Sequence, residues 1–227
     1  SFSIVFFFVV TTAVAQSGWK AGIAKVDITP KEKMWMAGFA ARTQPASGTM
    51  HPLWLKAIAL EDQRGYKSIL VTGDIIGFFK NISDDIRDQI AQKHGLSRAQ
   101  IILNSSHTHS GPVLDNASLD IIYPLNDAQR KQVIAYTDYL KRTTIELADQ
   151  AFKDLEPVTL HAQNGASRFQ VNRRNNDVSL LTKNTEIKGP QDFAVPVIKV
   201  TTAQNKLKAI VFGYACHPTV LNGYEWS

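Results

Sequence analysis

Short apolar runs alternate with helical patterns along much of this chain. Runs at 54–60, 68–73 and 100–104 predict strands, and an apolar period of 3.6 residues at 81–94 predicts a helix. The longest helical pattern covers 126–156 and is followed by a proline, which ends helices. This order of elements predicts an α/β fold in which helices flank layers of a mixed β-sheet.

A strand-rich stretch follows the long helical pattern. Apolar runs at 158–162, 195–200 and 209–215 predict three strands, and a turn at 202–206 joins the last two into a hairpin. Segment 165–189 is rich in Asn and Arg and predicts a long functional loop. No linker separates these parts, so we expect one domain.

The two ends of the chain lead to expectations of their own. Residues 1–15 combine an apolar run with a final Ala-Val-Ala, the pattern of a secretory signal peptide and its cleavage site. A buried N-terminal strand is the alternative. Because an initiator Met and a basic segment are missing, we expect a truncated signal peptide, a mature domain at 16–227, and an exported protein. A polar stretch of catalytic character before Ser227 leads us to expect that this domain is incomplete.

Composition excludes several classes of protein. Hydrophobic residues make up 44% and charged residues 20%, which excludes a disordered chain. One cysteine excludes an intramolecular disulfide framework. The 25 basic and 20 acidic residues give a net charge of +5 without a basic run, so nucleic acid is not an expected partner. Such a charge favours at most a weak attraction to an anionic membrane surface.

Histidines follow two of the predicted strands. His107 and His109 form an H-x-H pair after the run at 100–104, and residues i and i+2 of a strand share a face. His217 follows the run at 209–215, where a proline stops further pairing. Three histidines with an open fourth position are the arrangement of a catalytic zinc, which activates water. Structural histidines held by hydrogen bonds are the alternative.

Other polar residues lie in suggestive places. Arg173, in the Asn-rich loop, could hold an oxyanion or a polar headgroup through its planar guanidinium, or be a solvated loop residue. Asp74 follows a predicted strand and could orient a metal-bound imidazole or cap a turn. His51 could line the same cleft. Cys216, next to His217 in the strand pattern, is expected to face the core as a small apolar residue.

Several of these motifs occur together in a known family. Segments 104–112 (NSSHTHSGP), 172–173 (NR) and 213–219 (GYACHPT) resemble, in this order, the neutral/alkaline non-lysosomal ceramidases. Segment 21–30 (AGIAKVDITP), followed by 36–39 (MAGF), is similar to the opening of that family. The likeness runs from about residue 22 to the end and is strongest to bacterial proteins with the family's N-terminal domain.

The resemblance implies a chemistry and roles for particular residues. Members of this family are zinc amidases that cleave the N-acyl bond of ceramide into sphingosine and a fatty acid. By position, His107, His109 and His217 match zinc-binding histidines, and Arg173 matches an arginine of the active-site pocket. His51 is a candidate proton donor to the leaving amine. The family's other zinc ligands, a Glu and a Tyr, and its catalytic serine segment lie further downstream than this sequence extends.

Three functional hypotheses follow. The first is an exported, zinc-dependent amidohydrolase of ceramide or a related N-acyl lipid, of which this chain is an incomplete part. The second is a metal-dependent hydrolase of another amide, an ester or a glycan-linked substrate on the same scaffold. The third is an exported lipid- or carbohydrate-binding protein that keeps the metal as a structural element. The sequence gives no oligomeric state.

Overall fold

The computed structural model describes residues 14–116, 119–177 and 187–227. The predicted signal peptide at 1–15 lies almost entirely outside the described residues, and it stays a prediction. The same holds for the central part of the predicted loop at 165–189. Within the described ranges, no helix is both long enough and apolar enough to cross a membrane.

The chain divides into two compact units. The larger comprises Trp19–Pro157 and Cys216–Ser227, and the smaller comprises Ser1–Gly18 and Val158–Ala215. Strand β1 (Val14–Asp27) begins in the range of the smaller unit and continues into the larger one. The three histidines that the sequence singled out all belong to the larger unit.

Strands and helices alternate in the larger unit, as the sequence predicted. After β1 its elements are β2 (Gly48–Thr49), β3 (Trp54–Glu61), β4 (Lys67–Gly73), α1 (Lys80–His94), a short 3-10 helix (Arg98–Gln100), β5 (Ile101–Ser105), α2 (Leu119–Ile122), α3 (Asp127–Lys153) and β9 (Glu225–Trp226).

The sheet of the larger unit is mixed. Its hydrogen-bonded order is β5-β4-β3-β1. Strand β3 pairs antiparallel with both β1 and β4, whereas β4 and β5 are parallel and joined through helix α1. Helices α1 and α3 pack on each other, and α3 also contacts β3. The predicted α/β class with a mixed sheet and flanking helices is confirmed.

The core of the larger unit follows from two apolar periods. Strand β4 alternates buried and half-buried side chains, with Ile69 and Val71 turned inward. Helix α1 presents Ile82, Ile86 and Ile90 to the core, one helical turn apart. Each of these isoleucines is fully buried, which stabilises the fold by about 1.5–3 kcal/mol per side chain.

Helix α3 ends earlier than its sequence pattern predicted. The pattern extends to residue 156, but the helix ends at Lys153, and Glu156 already belongs to β6 (Glu156–Ala166). Pro157 disfavours helical backbone in the residue before it and so moves Glu156 into the extended region. Asp154 terminates the helix, and its carboxylate accepts a hydrogen bond from the Ile23 backbone N–H of β1 at 2.8 Å.

The smaller unit contains antiparallel strands. Strand β6 pairs with β7 (Ala194–Thr202), and β7 pairs with β8 (Leu207–Phe212). A turn closes the β7–β8 hairpin, with Asn205 at a φ of 61° and a hydrogen bond from the Thr202 N–H to the Lys206 carbonyl at 2.9 Å. The predicted hairpin is therefore confirmed.

Strand β8 is shorter than the sequence predicted, because it ends at Phe212 rather than at residue 215. The Gly213 N–H still donates to the Pro196 carbonyl at 3.1 Å, but a proline has no N–H to return the next ladder bond. His217 therefore does not stand directly at a strand end. The residues that follow 215 belong to the larger unit.

Candidate metal centre

His107 lies on a sharp bend just beyond strand β5. The strand ends at Ser105, the Ser106 N–H adds one bond to the Gly73 carbonyl, and His107 then adopts a φ of 58°. Few residues other than glycine take this left-handed conformation. The prediction that His107 and His109 share a face of one strand is therefore wrong. The two rings approach each other because the backbone turns at His107.

The backbone next to β4 holds the ring of His107. Its Nδ1 lies 2.7 Å from the Ile76 carbonyl oxygen. Because a carbonyl can only accept a hydrogen bond, Nδ1 is the donor in this contact, which leaves Nε2 as the nitrogen available to a metal ion. Orientation of a ligand imidazole by a carbonyl is a common second-sphere arrangement in metal sites.

Asp74 was a candidate for that orienting role. In the contacts described, it bonds the backbone of Trp54 instead. Its Oδ2 accepts a hydrogen bond from the Trp54 N–H at 2.9 Å, and its own N–H donates to the Trp54 carbonyl at 2.9 Å. Asp74 thus joins the end of β4 to the start of β3, and a main-chain carbonyl two residues later holds His107.

His109 is packed more tightly than His107 and His217. Phe39 contacts its ring edge-on, with the ring centroids 4.9 Å apart. Gly38, at a φ of 103°, lies so close that a Cβ on it would come within 2.4 Å of His109 Cγ. The Gly38 N–H donates to the hydroxyl of Tyr123 at 3.3 Å, and burial raises the pKa of that phenol.

The C-terminal segment brings His217 to the same place. The Ser110 hydroxyl donates to the Leu221 carbonyl at 3.2 Å, and the Thr108 hydroxyl donates to the Ser227 carbonyl at 2.8 Å. The Ser227 N–H donates in turn to the Ser110 carbonyl at 3.2 Å. These bonds join the segment that follows His217 to the loop that carries the H-x-H pair.

The three imidazoles converge through their Nε2 atoms. The Nε2 of His109 lies 2.9 Å from that of His217 and 3.5 Å from that of His107, and one ligand atom from each residue lies within 4.8 Å of the others. Nitrogens that share a tetrahedral zinc at about 2.0–2.1 Å stand about 3.3 Å apart. The observed spacings bracket that value, so the residues present fit a divalent cation.

The electrostatics of the cluster also suit a cation. Burial, then the neighbouring His217 and His107 and finally Arg42, lower the pKa of His109, which keeps its imidazole neutral as a ligand must be. The Nδ1 of His109 is buried and has no hydrogen-bond partner among the described residues. His107 and His217 are exposed, so one side of the cluster is open to solvent.

His51 and Arg173, the remaining predicted site residues, are not part of the described cluster. His51 is exposed, and its backbone N–H donates to the Trp226 carbonyl at 3.1 Å. Arg173 is exposed in a turn of the smaller unit, after Asn172, whose side chain accepts from the Arg174 N–H at 3.1 Å. The structure describes the three-histidine cluster without either residue as a ligand. Their catalytic roles stay predictions.

Cys216 does not face the core, and that prediction is wrong. The thiol is exposed, because β8 ends at Phe212 and strand alternation does not extend to Cys216. Its Sγ lies 3.8 Å from the His217 carbonyl oxygen, which is at most a weak contact.

Sequence reasoning missed Arg42, a buried arginine close to the cluster. Its Nη1 donates to the Ala37 and His109 carbonyls at 2.7 and 2.6 Å, and its Nη2 donates to the Gly223 carbonyl at 2.9 Å. Its position three residues after the ceramidase-like segment 36–39 carries no pattern that distinguishes a buried arginine from an exposed one. The unusual feature, three carbonyl partners from three segments, exists only in the folded chain.

An α/β unit with three histidines aimed at one point has a geometry that could hold a metal ion. The chain belongs to the neutral/alkaline non-lysosomal ceramidase family, whose N-terminal domain matches residues 19–225. The resemblance seen in the sequence motifs is therefore confirmed.

Solved structures agree with the fold. The chain is similar to the crystal structure of neutral ceramidase from Pseudomonas aeruginosa, with a TM-score of 0.74 and 20% identity over 93% of this chain and 34% of that one. It is also similar to a ceramidase complexed with C2, with a TM-score of 0.74 and 21% identity over 93% of this chain and 33% of that one. The chain thus spans about a third of the length of these structures. None of the curated proteins matches the sequence.

Proposed function

We propose that this chain carries the histidine part of the metal centre of an exported, zinc-dependent amidohydrolase. The substrate is ceramide or a related N-acyl lipid, which is cleaved into a fatty acid and an amine. The convergence of three Nε2 atoms, 2.9 and 3.5 Å apart, supports this proposal more than any other observation. Membership of the ceramidase family supports the reaction class.

The roles of the residues follow from their contacts. His107, His109 and His217 hold the ion, and the Ile76 carbonyl keeps the His107 tautomer that offers Nε2. A zinc ion held by these residues would supply Lewis-acid chemistry, the activation of water and of the amide carbonyl. The lowered pKa of His109 keeps its ring uncharged beside the cation. The roles proposed for Arg173, binding of the oxyanion or a polar headgroup, and for His51, proton donation to the leaving amine, come from the sequence and not from these contacts.

A lipid substrate also agrees with the remaining observations. One of the similar structures is a ceramidase complexed with C2. The net charge of +5 favours weak attraction to an anionic membrane surface, where an N-acyl lipid would be presented. The exposed positions of His107 and His217 leave one side of the centre open for a substrate.

Metal analysis and a histidine substitution test the proposal. We expect the protein expressed from its gene to hold one zinc per chain and to release fatty acid from ceramide. His107→Ala should lose both properties, with hydrolysis falling by about a hundredfold or more, because the ion loses a ligand. His161→Ala is the matched control, since His161 lies on β6 in the smaller unit, outside the cluster.

Other outcomes have definite meanings. A protein without zinc, or a His107→Ala variant that hydrolyses ceramide at the original rate, would contradict the proposal. Zinc-dependent cleavage of a different amide, ester or glycan-linked substrate would contradict the assignment of the substrate and favour the second hypothesis. Bound zinc without turnover of any acyl amide would favour a binding protein.

A further inference from the structure

Arg42 is an unusual residue for the interior of a protein. Its side chain is only 7% exposed, and the structure gives its guanidinium no carboxylate partner among the described residues. Burying a charge without an opposite charge beside it is costly, and burial lowers the pKa of Arg42. Because an apolar side chain at this position would avoid that cost, we expect Arg42 to have a function that depends on its hydrogen-bond donors.

The hydrogen bonds of Arg42 indicate what that role is. Nη1 donates to Ala37 and His109, and Nε and Nη2 both donate to Gly223, at 3.3 and 2.9 Å. The three carbonyls come from segments that are far apart in sequence. One precedes Gly38, one belongs to a histidine of the cluster, and one lies in the segment that follows His217. A planar fork of donors can join three acceptors at once.

A second contact links Arg42 to the ring of His109. The guanidinium carbon lies 4.9 Å from the centroid of the Phe39 ring, and Phe39 contacts the imidazole of His109 edge-on. Arg42 therefore restrains His109 twice, directly through the backbone carbonyl and indirectly through the aromatic ring between them. The cation–π contact also compensates part of the cost of burial.

We propose that Arg42 is a positioning residue of the metal centre, which holds His109 and the segment carrying His217 at the spacing that a shared ion requires. Its effect on zinc affinity rests on the proposed function above, whereas its effect on the positions of the rings does not. Metal–ligand distances tolerate about 0.2 Å, so a small displacement of either segment would weaken coordination.

Two substitutions and one control test this proposal. Arg42→Met removes every donor but keeps an apolar stem of similar length. Arg42→Lys keeps the charge and some donors but loses the planar fork, so it should fold and behave as an intermediate. Thr144→Val is the control, because Thr144 is fully buried on α3 and donates to the Leu140 carbonyl at 2.7 Å without contacting the cluster.

The first measurement is a crystal structure of each variant without metal. We expect the separation of the His109 and His217 Nε2 atoms, 2.9 Å in the present structure, to grow by about 1 Å in Arg42→Met. It should grow less in Arg42→Lys and stay unchanged in Thr144→Val. Rings that keep their positions in both Arg42 variants would overturn the proposal.

The second measurement is zinc affinity by chelator competition, well below the melting temperature of each variant. We expect affinity to fall by about 10- to 100-fold in Arg42→Met, as for other residues that orient metal ligands, and to stay unchanged in the control. A lower melting temperature with unchanged zinc affinity would show a merely structural role and overturn the proposal. If the unaltered protein binds no zinc, the proposed function fails, and the metal-free structures still decide the role of Arg42.

Discussion

Gly38 lies against the imidazole of His109 so closely that no side chain fits between them. A Cβ at this position would come within 2.4–2.7 Å of three atoms of His109, and the φ of 103° is unfavourable for any residue with a side chain. The glycine is therefore part of how the chain places the central histidine of the cluster.

We expect Gly38→Ala to displace His109 and to weaken zinc binding by about tenfold or more. Gly65→Ala is the matched control, because Gly65 also has a positive φ, 81°, but has nothing within 4 Å of its missing Cβ. It should lower stability by about 1 kcal/mol through backbone strain and leave zinc affinity unchanged. Equal zinc affinities for the two variants would contradict this account of Gly38.

At this scale the sequence predicted which histidines meet but not how they meet. The H-x-H pair and His217 could be selected because small polar residues and prolines follow apolar runs. The bend at His107 could not be predicted, because a φ of 58° in a residue other than glycine depends on tertiary contacts such as that of its ring with the Ile76 carbonyl. Arg42 could not be identified from the sequence, because its carbonyl partners are far apart in sequence.

Ion pairs connect helices α1 and α3 on the surface of the larger unit. Lys141 on α3 bonds Asp85 on α1 at 2.8 Å, and it lies 3.4 Å from Asp138 on its own helix. The hydrogen bond from Lys141, followed by one from Gln89, lowers the pKa of Asp85. Because both partners are partly exposed, solvent screening limits the contribution of the pair to about 1 kcal/mol or less.

The pH dependence of the Asp85–Lys141 ion pair follows from the lowered pKa of Asp85. The folded state binds the proton of Asp85 less tightly than the unfolded state, so the stabilisation is present above the unfolded pKa of about 3.9 and is lost as the pH falls through the lower folded value. We expect Asp85→Asn to melt at a lower temperature than the unaltered protein at pH 7, and the gap to shrink in strong acid. A gap that is equal or larger in acid would contradict the assignment.

Helices and strands could be predicted from the sequence where one apolar period dominates. The residues at which they end could not. The isoleucines of α1 and the alternation in β4 gave the helix and the strand correctly. The ends of α3 and β8 were missed, since each depends on a proline that acts through its backbone. Pro157 restricts the residue before it, whereas Pro196 removes a ladder bond from the strand opposite.

At the scale of the whole molecule, zinc should act as a ligand of the folded state. The cluster joins residues more than a hundred positions apart, so the unfolded chain cannot offer the same site. We expect zinc at a hundred times its dissociation constant to stabilise the fold by about 2.7 kcal/mol, and a chelator to reverse the effect. The His107→Ala variant should show a much smaller shift in melting temperature, and an equal shift would place the zinc elsewhere.

The family could be predicted from widely spaced motifs, while the division into two compact units could not. Motifs near residues 107, 173 and 217 were enough to identify the family that matches 19–225. No change in composition marks the boundary at Val158, because it falls inside strand β6 rather than in a linker. The return of the chain to the larger unit after Ala215 follows from the bonds of the C-terminal segment to Thr108 and Ser110.

Anomalous diffraction at the zinc absorption edge tests the central claim most directly. Crystals of the protein grown with zinc should show one peak at about 2.0–2.1 Å from the Nε2 atoms of His107, His109 and His217. No peak at that point, or a peak that one of the three rings does not reach, would contradict a shared metal centre.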